Sequence, residues 1–238
     1  MWLPGIKPTV PVKINTEGLI RPPKYTYYPV TSGIIAHGNF IGEVPGVPTT
    51  EGTDEGLEVT PKGIGQKFDT DSIVANGFLD GGIPMDEGWS FLMVMQSSGA
   101  LNDDATGDVL LCSTRVGAST PRGYFIQMEG SQGMYTNTTG TSRYSGLDHK
   151  NGEWQVYAGT LKGGRQILAQ NGILGTEWTD AAVGTWTTFT LGSLAGADQA
   201  KNRINNTVML MFCFWRGSLT NKELISLTVD PYQVLIPK

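Results

Sequence analysis

The chain has 238 residues, of which 39% are hydrophobic and 16% are charged, and its formal net charge is −5. This negative charge disfavours a surface that binds nucleic acid or an anionic membrane. No stretch approaches the roughly 20 apolar residues that span a bilayer. The first residues, MWLPGIKPTVPVK, lack the apolar core of a signal peptide, so we expect synthesis in the cytoplasm. Low charge together with 32 glycines indicates an all-β protein rich in tight turns.

Prolines are concentrated in the first part of the chain, where nine of the 13 occur before residue 62. Because proline donates no hydrogen bond to a sheet and fixes φ, residues 1–62 are predicted to form an extended arm with short edge strands, for example within 33–42. The arm also contains many apolar residues. It therefore needs a surface to lie on, either that of its own domain or that of a neighbouring molecule.

The first half of this arm combines positive charge with aromatic side chains. Such a segment is either ordinary solvated surface or a tip that docks on an acidic partner. If it docks, the predicted partner-binding residues are Trp2, Lys7, Lys13, Arg21, Lys24, Tyr25, Tyr27 and Tyr28.

Short strands separated by turns are predicted throughout residues 63–238, which form the second unit. The strands are predicted at 89–96, 109–114, 124–129, 134–139, 153–161, 165–170, 185–192 and 207–215. Such a pattern is typical of a sandwich, barrel or jelly roll. The stretches WSFLMVM and VMLMFCFW are apolar at successive positions, so each should be a central strand covered on both faces. Cys112 and Cys213 lie in such runs and are predicted to be buried free thiols.

The stretch LTNKELISLTVDP, residues 219–231, predicts a short helix near the end of the chain. Thr220 and Glu223 have the spacing of a capping box, and Leu219 and Leu224 have that of a hydrophobic staple. Pro231 disfavours a helical conformation at the preceding residue, so the helix should end there. A helix of about two turns is not stable alone. We therefore expect its apolar face to pack on the strands.

Several stretches resemble the laminin-G-like, concanavalin A-like superfamily, in the version found in phage and prophage structural proteins. They are IGQKFDTDSIVANG (64–77), GWSFLMVM (88–95), the hairpin 153–175 with its Asn-Gly turn, and the closing strand and helix, 209–235. The leader, with its MW start and PVKINTEGLI (11–20), resembles those of such phage proteins. The resemblance implies an antiparallel jelly-roll β-sandwich with a short C-terminal helix and an extended N-terminal arm.

The chain lacks the residue patterns of several common catalytic and metal sites. Glycosidases of this sandwich class often carry an E-x-D-x-x-E carboxylate cluster on one strand, and this chain has no such cluster. The two histidines, His37 and His149, have no sequence context typical of a nucleophile–base pair. No Cys/His spacing resembles a zinc site. The sequence therefore predicts that the protein is not an enzyme and has no cofactor.

Calcium binding is an alternative that the resemblance raises, since members of this fold often hold a calcium ion at the rim of the sandwich. Asn102, Asp103, Asp104 and Asp108 offer the oxygen ligands that calcium prefers. A turn rich in Asn and Asp, whose side chains satisfy loop backbone groups, explains the same residues and is preferred.

The preferred interpretation is a non-enzymatic structural protein on the virion surface, a capsid decoration (cement) or head-fibre protein. Its arm would fasten it to other virion proteins, above all the major capsid protein, and a homo-oligomer is expected. The alternative is a tail-associated module that binds a receptor glycan. Such binding needs an exposed aromatic ring, and Trp178, in GTEWTDAAVG, is the candidate, although packing at an edge strand also explains it.

Overall fold

The computed structural model describes residues 34–39, 57–60, 62–68, 76–97, 108–116, 122–129, 133–137, 142–180, 184–192, 204 and 206–234. Within these residues, strands form two antiparallel sheets, and an α-helix follows the last strand. The predicted all-β sandwich with a short C-terminal helix is thereby confirmed.

The two sheets differ in size, and their strands are numbered in chain order. The main sheet contains β1 (Ile34–Asn39), β2 (Leu57–Thr60), β3 (Gly63–Phe68), β5 (Trp89–Ser97), β10 (Trp154–Lys162), β11 (Arg165–Gln170), β12 (Ile173–Leu174), β13 (Trp178–Thr179) and β15 (Thr207–Arg216). The second sheet contains β4 (Asn76–Pro84), β6 (Asp108–Val116), β7 (Arg122–Glu129), β8 (Gly133–Asn137), β9 (Ser142–Asp148) and β14 (Thr185–Leu191). The main sheet has the order β12-β11-β10-β5-β15-β3-β2, and the second has β4-β14-β6-β7-β8-β9.

The central strands β5 and β15 bury both of their faces, as the apolar runs predict. Along β5, Trp89 and Phe91 belong to an inner core between the two sheets, whereas Leu92 belongs to an outer core on the other side of the main sheet. The register of β15 against β5 shifts between Met209 and Met211. This bulge places both Leu210 and Met211 in the outer core.

The outer core is covered by helix α1 (Asn221–Val229) and a following 3-10 turn (Pro231–Val234). The predicted capping box is present. Thr220 Oγ1 accepts a hydrogen bond from the Glu223 amide (3.3 Å), and the Glu223 carboxylate accepts one from the Thr220 amide (2.7 Å). Leu219 and Leu224 both lie in the outer core, as a staple requires. The helix is thus held by its buried face, since two turns have little stability of their own.

Side chains also fix both ends of this helix to the sheet. The Leu219 amide donates to Ser90 Oγ on β5 (3.0 Å), and the Gly172 amide donates to Thr228 Oγ1 (2.9 Å). Gly172 has φ +85° and follows Asn171 at φ +46°, so the predicted Asn-Gly turn adopts the left-handed geometry that tight hairpins need. The turn between β11 and β12 therefore contacts the helix directly.

Two stretches of the predicted arm belong to the main sheet. The edge strand expected within 33–42 is β1, which pairs with β15 so that His37 lies opposite Cys213. The strand β2 pairs with β3. Two strands of the body therefore lie on the N-terminal side of the predicted boundary at residue 62. Residues 1–33, with all eight predicted partner-binding residues, lie outside the described residues.

Cys213 is a buried free thiol, as predicted, and burial raises its pKa to about 12. The side chain of Cys112 lies outside the described part of the structure. Among the described residues, no helix is long and apolar enough to cross a membrane.

Candidate functional site

The two sheets meet along one rim of the sandwich, where strands β12 and β13 run beside β11. On the other side of this segment lies β9, the last strand in the order of the second sheet. The Thr176 amide donates to the Ser145 carbonyl of β9 (2.6 Å). The segment 173–180 therefore bridges the edges of both sheets, so that side chains from β9 and β11 lie next to it.

Trp178 is half-buried at this rim and is held on two sides. Its indole Nε1 donates a hydrogen bond to the Tyr144 carbonyl (3.0 Å). The guanidinium carbon of Arg143 lies 5.5 Å from the centre of the indole ring, within the range of a cation–π contact. These contacts fix the orientation of the ring while part of it stays accessible to solvent.

Arg143 is also paired with a carboxylate. Its Nη2 lies 2.9 Å from Asp180 Oδ1, and the other oxygen, Oδ2, accepts a hydrogen bond from Gln166 Nε2 (2.8 Å). The side chain of Asp180 is only 9% exposed, whereas that of Arg143 is 36% exposed. The pair is therefore neutral overall, and its negative member is sheltered.

Tyr144 adds a second aromatic ring, which is 42% exposed. Its hydroxyl donates to Asp148 Oδ1 (2.7 Å), four residues further along β9. We use the name Trp178 rim for the set comprising Arg143, Tyr144, Asp148, Gln166, Trp178 and Asp180. The rim thus combines two partly exposed aromatic rings with carboxylate, guanidinium, amide and hydroxyl groups.

A separate polar cluster lies inside the sandwich where β9 ends. His149 is 1% exposed, and a hydrogen bond joins its Nδ1 to the Tyr157 hydroxyl (2.7 Å). Gln170 Nε2 donates to the Asp148 carbonyl (2.8 Å) and to Gln155 Oε1. Burial lowers the pKa of His149 from 6.5 to about 4, so the ring is neutral at pH 7. The cluster fastens the end of β9 to β10 and β11.

Of the predicted site residues, Trp178 lies in the described part of the structure, whereas the side chains of the predicted calcium ligands do not. Trp178 lies on an edge strand and is half-buried, so both interpretations of it, edge packing and partial exposure, describe the same ring. Asn102, Asp103 and Asp104 lie outside the described residues, as does the side chain of Asp108. No group of three or more His, Cys, Asp or Glu side chains within the described part of the chain is arranged to hold a metal ion.

Sequence reasoning missed Arg143, Tyr144 and Asp180. Strand β9, SRYSGLD, alternates in burial, but its buried positions include Ser145 and its exposed positions include Gly146. The apolar alternation that reveals a strand is therefore absent. The one available signal was local, namely an arginine beside a tyrosine in an otherwise small and polar stretch.

No protein-family model matches the chain, and no curated protein sequence matches it. Among solved structures, the chain is similar to domain 4 of AbnA, a GH43 extracellular arabinanase from Geobacillus stearothermophilus, in complex with arabinotriose. That match has a TM-score of 0.60 at 15% identity and covers 82% of this chain and 98% of the domain.

The chain is also similar to part of the Trypanosoma rangeli sialidase. The match has a TM-score of 0.52 at 8% identity, and the sialidase in complex with sialic acid gives 0.51 at 8%. Each covers 75% of this chain but 29% of the sialidase, so the chain spans less than a third of that protein's length. At such identities the likeness establishes the β-sandwich fold.

These comparisons contradict the prediction that the protein is not an enzyme, because solved structures similar to it come from an arabinanase and from a sialidase. The prediction relied on the absence of a carboxylate motif within any one strand. A linear motif search cannot detect carboxylates that separate strands bring together. No comparison supports a phage origin.

Proposed function

We propose that the sandwich binds a carbohydrate at the Trp178 rim. The observation that carries this proposal is the partly exposed Trp178 ring, which the Tyr144 carbonyl and the Arg143 guanidinium hold in a fixed orientation. Small-molecule sites typically join apolar, often aromatic, surface to a few well-placed polar groups. A sugar ring has the same division, since its C–H face stacks on an aromatic ring and its hydroxyls need hydrogen-bond partners.

Preorganisation supports the same proposal. Trp178 is held by a backbone carbonyl and by a guanidinium group that is itself fixed by Asp180. A ring that is already oriented loses little conformational freedom on binding, so more of the contact energy appears as affinity. The rim also lies on strands of both sheets instead of on a single loop, which keeps the distances between its groups constant.

The arabinanase domain provides independent support for this ligand class. Its structure was solved in complex with arabinotriose, and this chain covers 98% of that domain. The fold therefore accommodates an oligosaccharide in at least one protein. For this chain we propose the same class of ligand, with Trp178 as the stacking residue.

Calorimetric titration with arabinotriose, together with a glycan array, tests the proposal. We expect saturable binding to at least one oligosaccharide, and its loss in the Trp178→Ala variant. The matched control is Trp154→Ala, because Trp154 is also partly buried on the main sheet but packs against the outer core. Retained binding in Trp178→Ala, or loss of binding in both variants, would contradict the proposal.

The virion-surface role predicted from the sequence stays a prediction. Its motive was an arm that is sheltered by neighbouring subunits, yet β1 and β2 of that arm pair with the body of the same chain. What can still be tested is the segment before β1. Deleting residues 1–30 should abolish incorporation into particles if the segment fastens the protein to a capsid, and normal incorporation of the truncated protein would refute that role.

A further inference from the structure

We infer that the Trp178 rim selects neutral glycans and rejects those that carry carboxylate or sulfate groups. This inference rests on the proposed function and narrows its ligand class. It depends on the charges at the rim and on which of them an incoming ligand can reach.

The positive charge at the rim is already neutralised. Arg143 pairs with Asp180 at 2.9 Å, and Asp180 also accepts a hydrogen bond from Gln166. An acidic sugar that engaged Arg143 would have to displace this carboxylate. Because the Asp180 side chain is only 9% exposed, it would be left as a sheltered charge with an amide as its partner, which is strongly unfavourable.

A second carboxylate at the rim opposes acidic ligands directly. Asp148 is exposed and accepts a hydrogen bond from the Tyr144 hydroxyl, on the face of β9 where Tyr144 is accessible. An anionic sugar that extended over the Tyr144 ring would be repelled by this charge. Sugar hydroxyls, in contrast, can donate to the remaining lone pairs of the carboxylate.

Two neighbouring cations, Arg165 and Lys162, lie on the opposite face of the edge segment, and a third, Lys150, follows β9 and is paired with Glu153 (3.9 Å). Thr179 is paired with Arg165, whereas Trp178 is paired with Gln166, so the two pairs face opposite sides. Arg165 donates to Glu177 (2.8 Å) and to Asn221 at the start of the helix (2.6 Å). Lys162 lies opposite Arg165 in the hairpin and so shares that helix-side face. Neither Arg165 nor Lys162 is placed to receive an anion at the rim.

The test uses a glycan array that carries neutral arabinan, galactan and glucan oligosaccharides beside uronic-acid, sialylated and sulfated ones. The unmodified protein should bind neutral members, and its affinity for them should change little between about 0.05 M and about 0.5 M salt, because no net charge is paired on binding. This salt measurement needs no variant.

A charge variant tests the stated cause. Asp180→Asn removes the partner of Arg143 and should raise binding of carboxylate-bearing glycans about tenfold. The matched control is Glu177→Gln, which changes the net charge by the same amount. Glu177 lies three residues before Asp180 but pairs with Arg165 on the helix side, so this variant should not bind acidic glycans more strongly. Thermal unfolding of both variants checks that they fold. If Asp180→Asn does not fold, the array comparison of neutral with acidic glycans on the unmodified protein still tests the inference.

The outcomes separate this inference from the proposed function. Binding of acidic glycans by the unmodified protein, equal to or stronger than that of neutral ones, would overturn the inference and leave carbohydrate binding standing. An equal gain in both charge variants would also overturn it. Absence of binding to every glycan would overturn the proposed function and the inference together.

Discussion

The buried histidine His149 makes the stability of the sandwich depend on pH in a defined window. Its pKa is lowered from 6.5 in an unfolded chain to about 4 in the folded protein, because burial disfavours the charged ring. The unfolded state therefore binds the proton more readily. The stabilising contribution of the neutral His149 ring is complete above pH 6.5 and is lost as the pH falls from 6.5 towards 4.

The magnitude follows from the size of this shift. Each pH unit in the window should lower the free energy of unfolding by about 1.4 kcal/mol, which amounts to about 3 kcal/mol over the whole window. Replacing His149 with Gln removes the titration while keeping a polar group near the Tyr157 hydroxyl. The variant should therefore lose this part of the pH dependence.

The assay is urea unfolding at closely spaced pH values between 4 and 7. Parallel stability curves for the unmodified protein and His149→Gln would refute the reasoning, because the carboxylates common to both would then account for the whole pH dependence.

Two further predictions concern the helix and a tight turn. Leu224→Ala should lower the free energy of unfolding in urea by about 2–5 kcal/mol, because Leu224 is fully buried in the outer core. Ile225→Ala, on the exposed side of the helix, should lower it by less than about 1 kcal/mol. Equal losses would contradict the docking of α1 on the sheet. Gly88 and Gly152 both have φ +76°, but a Cβ at Gly88 would collide with the Leu161 carbonyl oxygen while one at Gly152 meets nothing within 4 Å. Gly88→Ala should therefore be about 1–3 kcal/mol more destabilising than Gly152→Ala, and a smaller loss at Gly88 in thermal unfolding would show that the turn is looser than described.

The elements that could be predicted from sequence are those whose signals are local. The apolar run of β15 indicated a central strand, because only a strand covered on both faces buries successive apolar residues. Thr220 and Glu223 marked the start of the helix, because a capping box needs residues three positions apart. In each case the signal lies within a few consecutive residues.

The Trp178 rim could not be predicted in the same way. Trp178 was selected by residue type, but the carbonyl that its indole contacts is 34 positions away, on Tyr144. Strand β9 carries Ser and Gly at positions that alternate in burial, so hydrophobic periodicity gave no sign of it. Which residue neutralises Arg143 depends on how the edges of two sheets meet, and one sequence without its fold does not contain that information.

The failed prediction about catalysis has a similar cause. It treated the absence of a short carboxylate motif as evidence about the whole protein. Solved structures similar to this chain come from an arabinanase and from a sialidase, and carboxylates on different strands leave no motif of fixed spacing.

The most direct test of the central claim is an NMR titration with an oligosaccharide that the glycan array identifies as a ligand. The titration follows the indole N–H signals of the tryptophans. The chain has six tryptophans, and the Trp178 signal is assigned by its absence from Trp178→Phe. We predict that the Trp178 signal shifts in proportion to the bound fraction, while the signals of the fully buried Trp89, Trp186 and Trp215 stay in place. Saturable binding that leaves the Trp178 signal unmoved would contradict the account.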